Sequence, residues 1–222
     1  HYYLQSLMKD NPALPKEYLD GLNNLDDVTR AIFVDGNWDI VDVERPFAYS
    51  FNKFKTVRKD LEIVPNEPII LSFDFNVDPI TCIAGQSDVY KLCEAIRNHF
   101  GNRFFLITGD ASGQNRNAMV KGNMNAFQII RDELQVPKSA FKVPSFNPSI
   151  RNSRILLNSV LEKHPDFLID ASCQYLINDL QMVQATSDGD IDKSKDSMST
   201  HLLDCLRYYL FTFHASFVKY LK

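Results

Sequence analysis

The sequence predicts an α/β fold built on one sheet, and three observations carry that expectation. From Ile69 onward, apolar runs of strand length alternate with helical patterns of about ten residues or more. The stretch IILSFDFNVDP (Ile69–Pro79) alternates with period two: Ile69, Leu71, Phe73, Phe75 and Val77 share one face, and Ile70, Ser72, Asp74, Asn76 and Asp78 the other. The 222 residues are 45% hydrophobic and 23% charged, which suits a folded globular chain and excludes a disordered or fibrous one.

Taken in order, NPALPKEYLDGL predicts a short helix introduced by Pro15, LDDVTRAIF a second, and DGNWDIVD a turn-prone stretch. These elements are too small to fold alone. Arg45 to Pro68, RPFAYSFNKFKTVRKDLEIVPNEP, is a mixed basic and aromatic connector whose last prolines break it from the strand at Ile69. ITCIAGQ (Ile80–Gln86) is expected to return antiparallel across an Asp78-Pro79 turn. VYKLCEAIRNHF reads as an amphipathic helix, RFFLITGD as a buried strand ending at Asp110, NAFQIIRDEL as a helix and AFKVPSF as a strand. NPSIRNSRILLNSVLEKH is helical, DFLIDA a short strand and CQYLINDLQMV helical; a hairpin turn at Ser187–Gly189 precedes the last helix, SMSTHLLDCLRYYLFTF.

Several function classes are excluded or disfavoured. No run approaches the ~18 to 20 apolar residues of a membrane span. The start HYYLQSLMKD has neither a basic nor an apolar signal region and lacks an initiator Met, so a fragment or processed product is expected. Cys82, Cys93, Cys173 and Cys205 form no C-x-x-C pair and read as core thiols of a reducing compartment. Lys plus Arg total 24 against 28 Asp plus Glu, a net charge of −4, so bulk charge does not announce a polyanion partner, although a local basic groove remains open.

Three acidic positions carry the candidate chemistry. Asp74 lies between two phenylalanines in a strand, and an ionised carboxylate there is either a solvated strand end or part of a site that supplies a cation. Asp110, in GDASG (Gly109–Gly113), ends a buried strand, where open α/β sheets bind ligands. It reads equally as a turn residue and helix N-cap, and the flanking glycines would let a phosphate or metal approach. Asp204 and His201 share one side of the last helix, opposite the stripe Leu202, Leu203, Leu206, Tyr209, Leu210 and Phe213; alone, that side reads as a solvated face. Together, three well-separated Asp residues and no Cys suit two hard divalent cations, Mg²⁺ or Mn²⁺, arranged for attack on a phosphodiester.

The ordered set FDFNVDP, ITGDASG and SMSTHLLDCLRY after DGDIDKSK, with NPSIRNSRILLNSVLE and FLIDASCQYLINDLQMV, resembles the C-terminal nuclease domain of the large terminase subunit of tailed bacteriophages over most of Ile69 to Leu210. The resemblance implies an RNase H-like mixed sheet flanked by helices, with a β-hairpin before the last helix. It implies Asp74, Asp110 and Asp204 as metal-binding catalytic carboxylates, His201 and Asp78 in supporting places, and Lys193 and Lys195 of the hairpin as DNA contacts. DNPALPKEYLDGL and TRAIFVDGNWDI resemble the tail and linker of the terminase ATPase domain, giving a division into residues 1–64 and a nuclease domain 65–222. No G-x-x-x-x-G-K-[ST] is present, so the motor itself is expected to be absent from this chain. In one respect the pattern departs: GQSD passes directly into VYKLCEAIRNHF, leaving no room for the third antiparallel strand of an RNase H-like sheet, whether by omission near Asp88–Tyr90 or by loss of the element.

The implied activity is two-metal-ion endonucleolytic cleavage of concatemeric double-stranded DNA during genome packaging. The implied partners are the ATPase domain, the portal and the small terminase subunit, with no membrane; the implied setting is the host cytoplasm, transiently at the procapsid portal. Rival readings are a junction resolvase or transposase-like nuclease, an actin-like phosphotransferase using FDFN and GDASG as phosphate loops, and a non-catalytic docking module.

Overall fold

The computed structural model describes residues 11, 13–36, 46–75, 80–82, 89–115, 124–192 and 200–218. Two short helices come first. α1 (Lys16–Leu22) starts after Pro15, and α2 (Asp27–Phe33) is capped by the Asp26 side chain, which accepts from the Thr29 N–H. A one-turn helix, α3 (Lys53–Thr56), leads into β1 (Val57–Arg58).

The sheet follows. β2 (Ile69–Phe75) is its central strand, with β3 (Ile80–Cys82) antiparallel on one side and β4 (Phe105–Gly109) parallel on the other. Between β3 and β4 the chain forms α4 (Val89–Phe100). Positions 83–88, where the sequence leaves no room for a third antiparallel strand, lie outside the described residues. α5 (Ala126–Leu134) is opened by a capping box of Asn125 and Gln128. The strand expected over Ala140–Phe146 is reduced to a single parallel bridge from Phe141 to Ile107. Pro144 has no N–H to give, so a ladder cannot continue there.

α6 (Ile150–Lys163), β5 (Ile169–Asp170), α7 (Gln174–Met182) and α8 (His201–His214) follow, α8 running into a 3₁₀ turn at Ala215–Val218. β5 pairs in parallel with β1 as a separate two-stranded sheet, so the one sheet expected from the sequence is corrected to two among the described residues. Before α8 the chain reverses as expected: Ala185 bridges Ile191, Thr186 N–H donates to Asp190 O at 2.8 Å, and Gly189 takes the positive φ of +85° that the turn needs.

Two apolar cores flank the layer that carries the acidic residues. Leu71, Phe73, Phe105 and Ile107 pack on α4 and α5 through Leu92, Ile96, Ile129 and Ile130, so the apolar face read from the period-two pattern is the inner face here. The second core joins α6, α7 and α8 through Leu157, Val160, Leu180, Leu203 and Leu210, and it also takes in Leu25 and Phe47 from the N-terminal segment. The other face of β2 and β4 lies under α8, where Ser72 Oγ donates to Cys205 O at 2.6 Å and the Thr108 and Thr212 hydroxyls meet at 2.7 Å. Cys93 and Cys205 are buried and Cys173 is half-buried; the Cys82 side chain lies outside what is described. Among the described residues no helix is long and apolar enough to cross a membrane.

Candidate functional site

Strand register brings the first two carboxylates together. β2 and β4 pair from Ile69 with Phe105 to Phe73 with Gly109. One step further the same spacing sets Asp74 beside Asp110, and the Asp110 N–H donates to Phe73 O at 2.8 Å. Both belong to the Ser72 and Thr108 face, because side chains alternate along a strand. α8 crosses that face and supplies Asp204.

The position of α8 is fixed from outside the helix. Thr200 stands at its N-cap but makes no side-chain cap. Asp179 of α7 does so instead, its Oδ2 accepting from the N–H groups of Leu202 and Leu203 at 3.2 and 3.3 Å. Burial pushes the Asp179 carboxyl up to about 6, against the lowering effect of these two donors.

Asp74, Asp110 and Asp204 are only 2%, 8% and 9% exposed. The solvated-face reading of His201 and Asp204 is therefore corrected: α8 is covered on the sheet side as well as on its apolar stripe, and Asp204 and Arg207 are both buried. The solvated strand end, the alternative for Asp74, is excluded in the same way. Each carboxylate is held by a protein side chain. His201 Nδ1 lies 3.2 Å from Asp74 Oδ2. Asp110 Oδ1 accepts from Asn147 Nδ2 and the Ser112 N–H, both at 2.7 Å. Arg207 is ion-paired with Asp204 one turn away and anchored by its Nε–H on Ser153 Oγ at 2.8 Å.

The electrostatics report how close the acids stand. Burial, then the charge of Asp204, and further the charge of Asp110, push the Asp74 carboxyl up to about 6, against the pull of His201. Tyr208 is buried, and its phenol is pushed far up first by burial and then by Asp204, Asp110 and Asp74. It stays a neutral hydroxyl among acids.

The glycines of GDASG are needed by the packing of the chain. A Cβ on Gly109, at φ +146°, would meet Phe73 O at 2.2 Å, and one on Gly113 would meet the Phe75 ring at 2.2 Å. They allow close packing of the chain on itself. The N-cap reading of Asp110 holds as well, since its carboxylate caps the 3₁₀ turn Ala111–Gln114. Asp78, Lys193 and Lys195 lie outside the described residues.

The donor set fits a hard divalent cation in kind: three oxygen ligands from three elements, close enough to perturb one another, each steadied from behind. Among the described residues no three His, Cys, Asp or Glu side chains stand as a formed metal cage. Asp204 is turned onto Arg207 and Asp74 onto His201. Sequence reasoning missed Asn147, Asp179, Arg207 and Tyr208, and only Arg207, one helical turn after Asp204, left a readable signal.

No family model matches the chain, and no curated protein matches it in sequence. Among solved structures, it is similar to the large terminase from a thermophilic bacteriophage, with a TM-score of 0.62 and 15% identity over 95% of this chain and 55% of that one. The same terminase in complex with ADP gives a TM-score of 0.65 at 15% identity, and in complex with ATP-gamma-S 0.64 at 14%. The chain thus spans about half the length of the solved structures it matches. Across so low an identity the likeness speaks for architecture alone: the chain has a large-terminase-like α/β fold.

Proposed function

We propose that the chain is the nuclease part of a large-terminase-like protein, RNase H-like in fold, that cuts concatemeric double-stranded DNA during phage genome packaging. The observation that carries this reading is the convergence of Asp74, Asp110 and Asp204 from β2, the residue just after β4 and α8, with the first raised to about 6 by burial and by its two neighbours. Clustering acids in a buried place costs stability, and a bound cation offsets that cost. The likeness to the large terminase of the thermophilic phage supports the biological setting.

Asp74, Asp110 and Asp204 would hold two divalent cations, Mg²⁺ or Mn²⁺, which when bound supply an activated water and a stabilised leaving oxygen. The chain's own residues prepare the place. Asn147 and the Ser112 N–H hold Asp110 by one oxygen, Asp179 sets the start of α8, and Arg207 holds Asp204 from within the helix. Tyr208, kept neutral, adds no negative charge against an incoming phosphate. His201 orients Asp74, and Asp78 is kept as a supporting residue. Lys193 and Lys195 are proposed DNA contacts, and the ATPase domain, portal and small terminase subunit are proposed partners in the host cytoplasm and at the procapsid portal. DNA affinity should rest on phosphate contacts and weaken steeply with salt.

The test is incubation of supercoiled plasmid with Mg²⁺ or Mn²⁺, with EDTA, and with the Asp74→Ala and Asp204→Ala variants. Metal-dependent nicking and linearisation, lost in both variants, is expected. Cleavage that survives both substitutions would overturn the assignment.

A further inference from the structure

The basic and aromatic connector is not used by the acidic site, yet it is an ordered part of the molecule. In NKFKTVRK the Asn52 side chain caps α3, accepting from the N–H groups of Phe54 and Lys55 at 3.0 and 3.2 Å. Thr56 is buried, β1 pairs with β5, and the Arg58 guanidinium closes onto the carbonyls of Phe54 and Val57 at 2.9 and 2.8 Å. Lys55 reaches the carbonyl of Glu162 at the end of α6. The backbone is thus fixed while the Phe54 ring stands 93% exposed, the most exposed of the large apolar side chains described.

Close to Phe54 in sequence are Lys53, Lys55, Arg58 and Lys59, all exposed. None of the four enters an ion pair among the described residues, whereas Arg97, Arg131 and Lys163 each face a carboxylate. Four like charges within seven residues of an acidic chain repel one another, and an anion relieves that repulsion. An exposed aromatic ring carried on a fixed backbone beside several cations is complemented by a polyanion that also offers a flat aromatic face.

We propose that α3 and β1 form a binding site for single-stranded DNA, with Phe54 stacking on an unpaired base and the four cations lying along the phosphates. A duplex covers its base faces except at an end, so a frayed or newly cut end is the form that fits. The choice of DNA rests on the nuclease reading above; the combination of stacking and phosphate contact does not. This site uses none of the residues of the acidic cluster.

The experiment is fluorescence anisotropy of a labelled oligothymidylate, and of a blunt duplex, titrated in EDTA over a series of salt concentrations. Wild type is compared with Phe54→Ala, Phe54→Trp and the double variant Lys53→Ala/Lys59→Ala. Single strand should bind more tightly than blunt duplex. Phe54→Ala should weaken single-strand binding about tenfold or more while Phe54→Trp retains it. The double lysine variant should reduce the slope of log K against log salt by about 1.4, from two lost phosphate contacts. Unchanged circular dichroism and Tm would confirm that these exposed positions leave the fold intact. Single-strand binding indifferent to Phe54, or absent altogether, would overturn the proposal and leave the exposed ring to a protein partner. Since no metal or cleavage is involved, loss of binding in the patch variants stands even if plasmid cleavage fails, and unaffected binding sinks the patch even if cleavage succeeds.

Discussion

Asp26 and Asp74 are both buried acids, and they differ in every other respect. Asp26 is enclosed by donors: the Thr29 N–H at 2.8 Å, the Tyr49 hydroxyl at 2.9 Å and the Ser159 hydroxyl at 3.5 Å. It caps α2 and ties the N-terminal segment to α6. Asp74 instead shares its surroundings with Asp110 and Asp204, and the basic groups at close range are His201 and Arg207. Burial of a carboxylate is therefore a poor mark of function by itself. The mark is burial among other carboxylates, where a structure shaped for stability alone would have placed donors.

That contrast can be broken by exchanging the roles. On the proposed metal role, Asp74→Asn should lower metal-dependent plasmid cleavage by at least about a hundredfold, with Tm unchanged or raised. A large drop in Tm would place Asp74 with Asp26. Conversely, Asp26→Ala should lose about 2 to 4 kcal/mol in urea unfolding, from the lost cap and the stranded Tyr49 and Ser159 hydroxyls. Cleavage per folded molecule should stay at the wild-type rate.

Smaller effects sharpen the boundary. Asn147→Ala removes the side-chain donor on Asp110, 37 residues away in sequence, and cleavage should fall about tenfold to a hundredfold with little change in stability. The pH dependence has a definite sign. The folded carboxyls of Asp74 and Asp179 sit at about 6, above their ordinary value of 3.8, so between these values the folded state holds more protons than the unfolded one. Their contribution to stability is greatest below about 4, declines as pH rises toward 6 and is flat above. Urea titrations of wild type and Asp74→Asn across that range should show a shallower decline in the variant; identical slopes would contradict the raised carboxyl.

Much of this is legible in the sequence, and what is not has physical causes. The period-two pattern of Ile69–Phe75 reveals both the strand and its inner face, and the run Val89–Phe100 the helix that covers it. Asp74 and Asp110 can be read as strand-end acids, because a charge in an apolar strand stands out. Asp204 is legible as a candidate but not as a buried one, since the polar side of α8 meets the polar side of the sheet, and pattern alone cannot tell such a contact from water. Asn147, Asp179 and Arg207 act through partners on other elements or within a buried face, where residue type carries little signal. The apolar alternation over Ala140–Phe146 suggests a strand, but Pro144 within it stops the ladder. Gly109 and Gly113 suggest a ligand in the sequence, and their packing against Phe73 and Phe75 leaves no signal there.

The most direct test of the acidic cluster is a calorimetric titration of Mn²⁺ into the wild-type chain and into Asp74→Asn at neutral pH, with Tm followed in parallel. Saturable binding to the wild type is expected, with about 1.4 kcal/mol of added stability at a tenfold excess over Kd, and both signals should be lost in the variant. Equal binding by the two proteins, or none by either, would contradict a metal site at Asp74, Asp110 and Asp204.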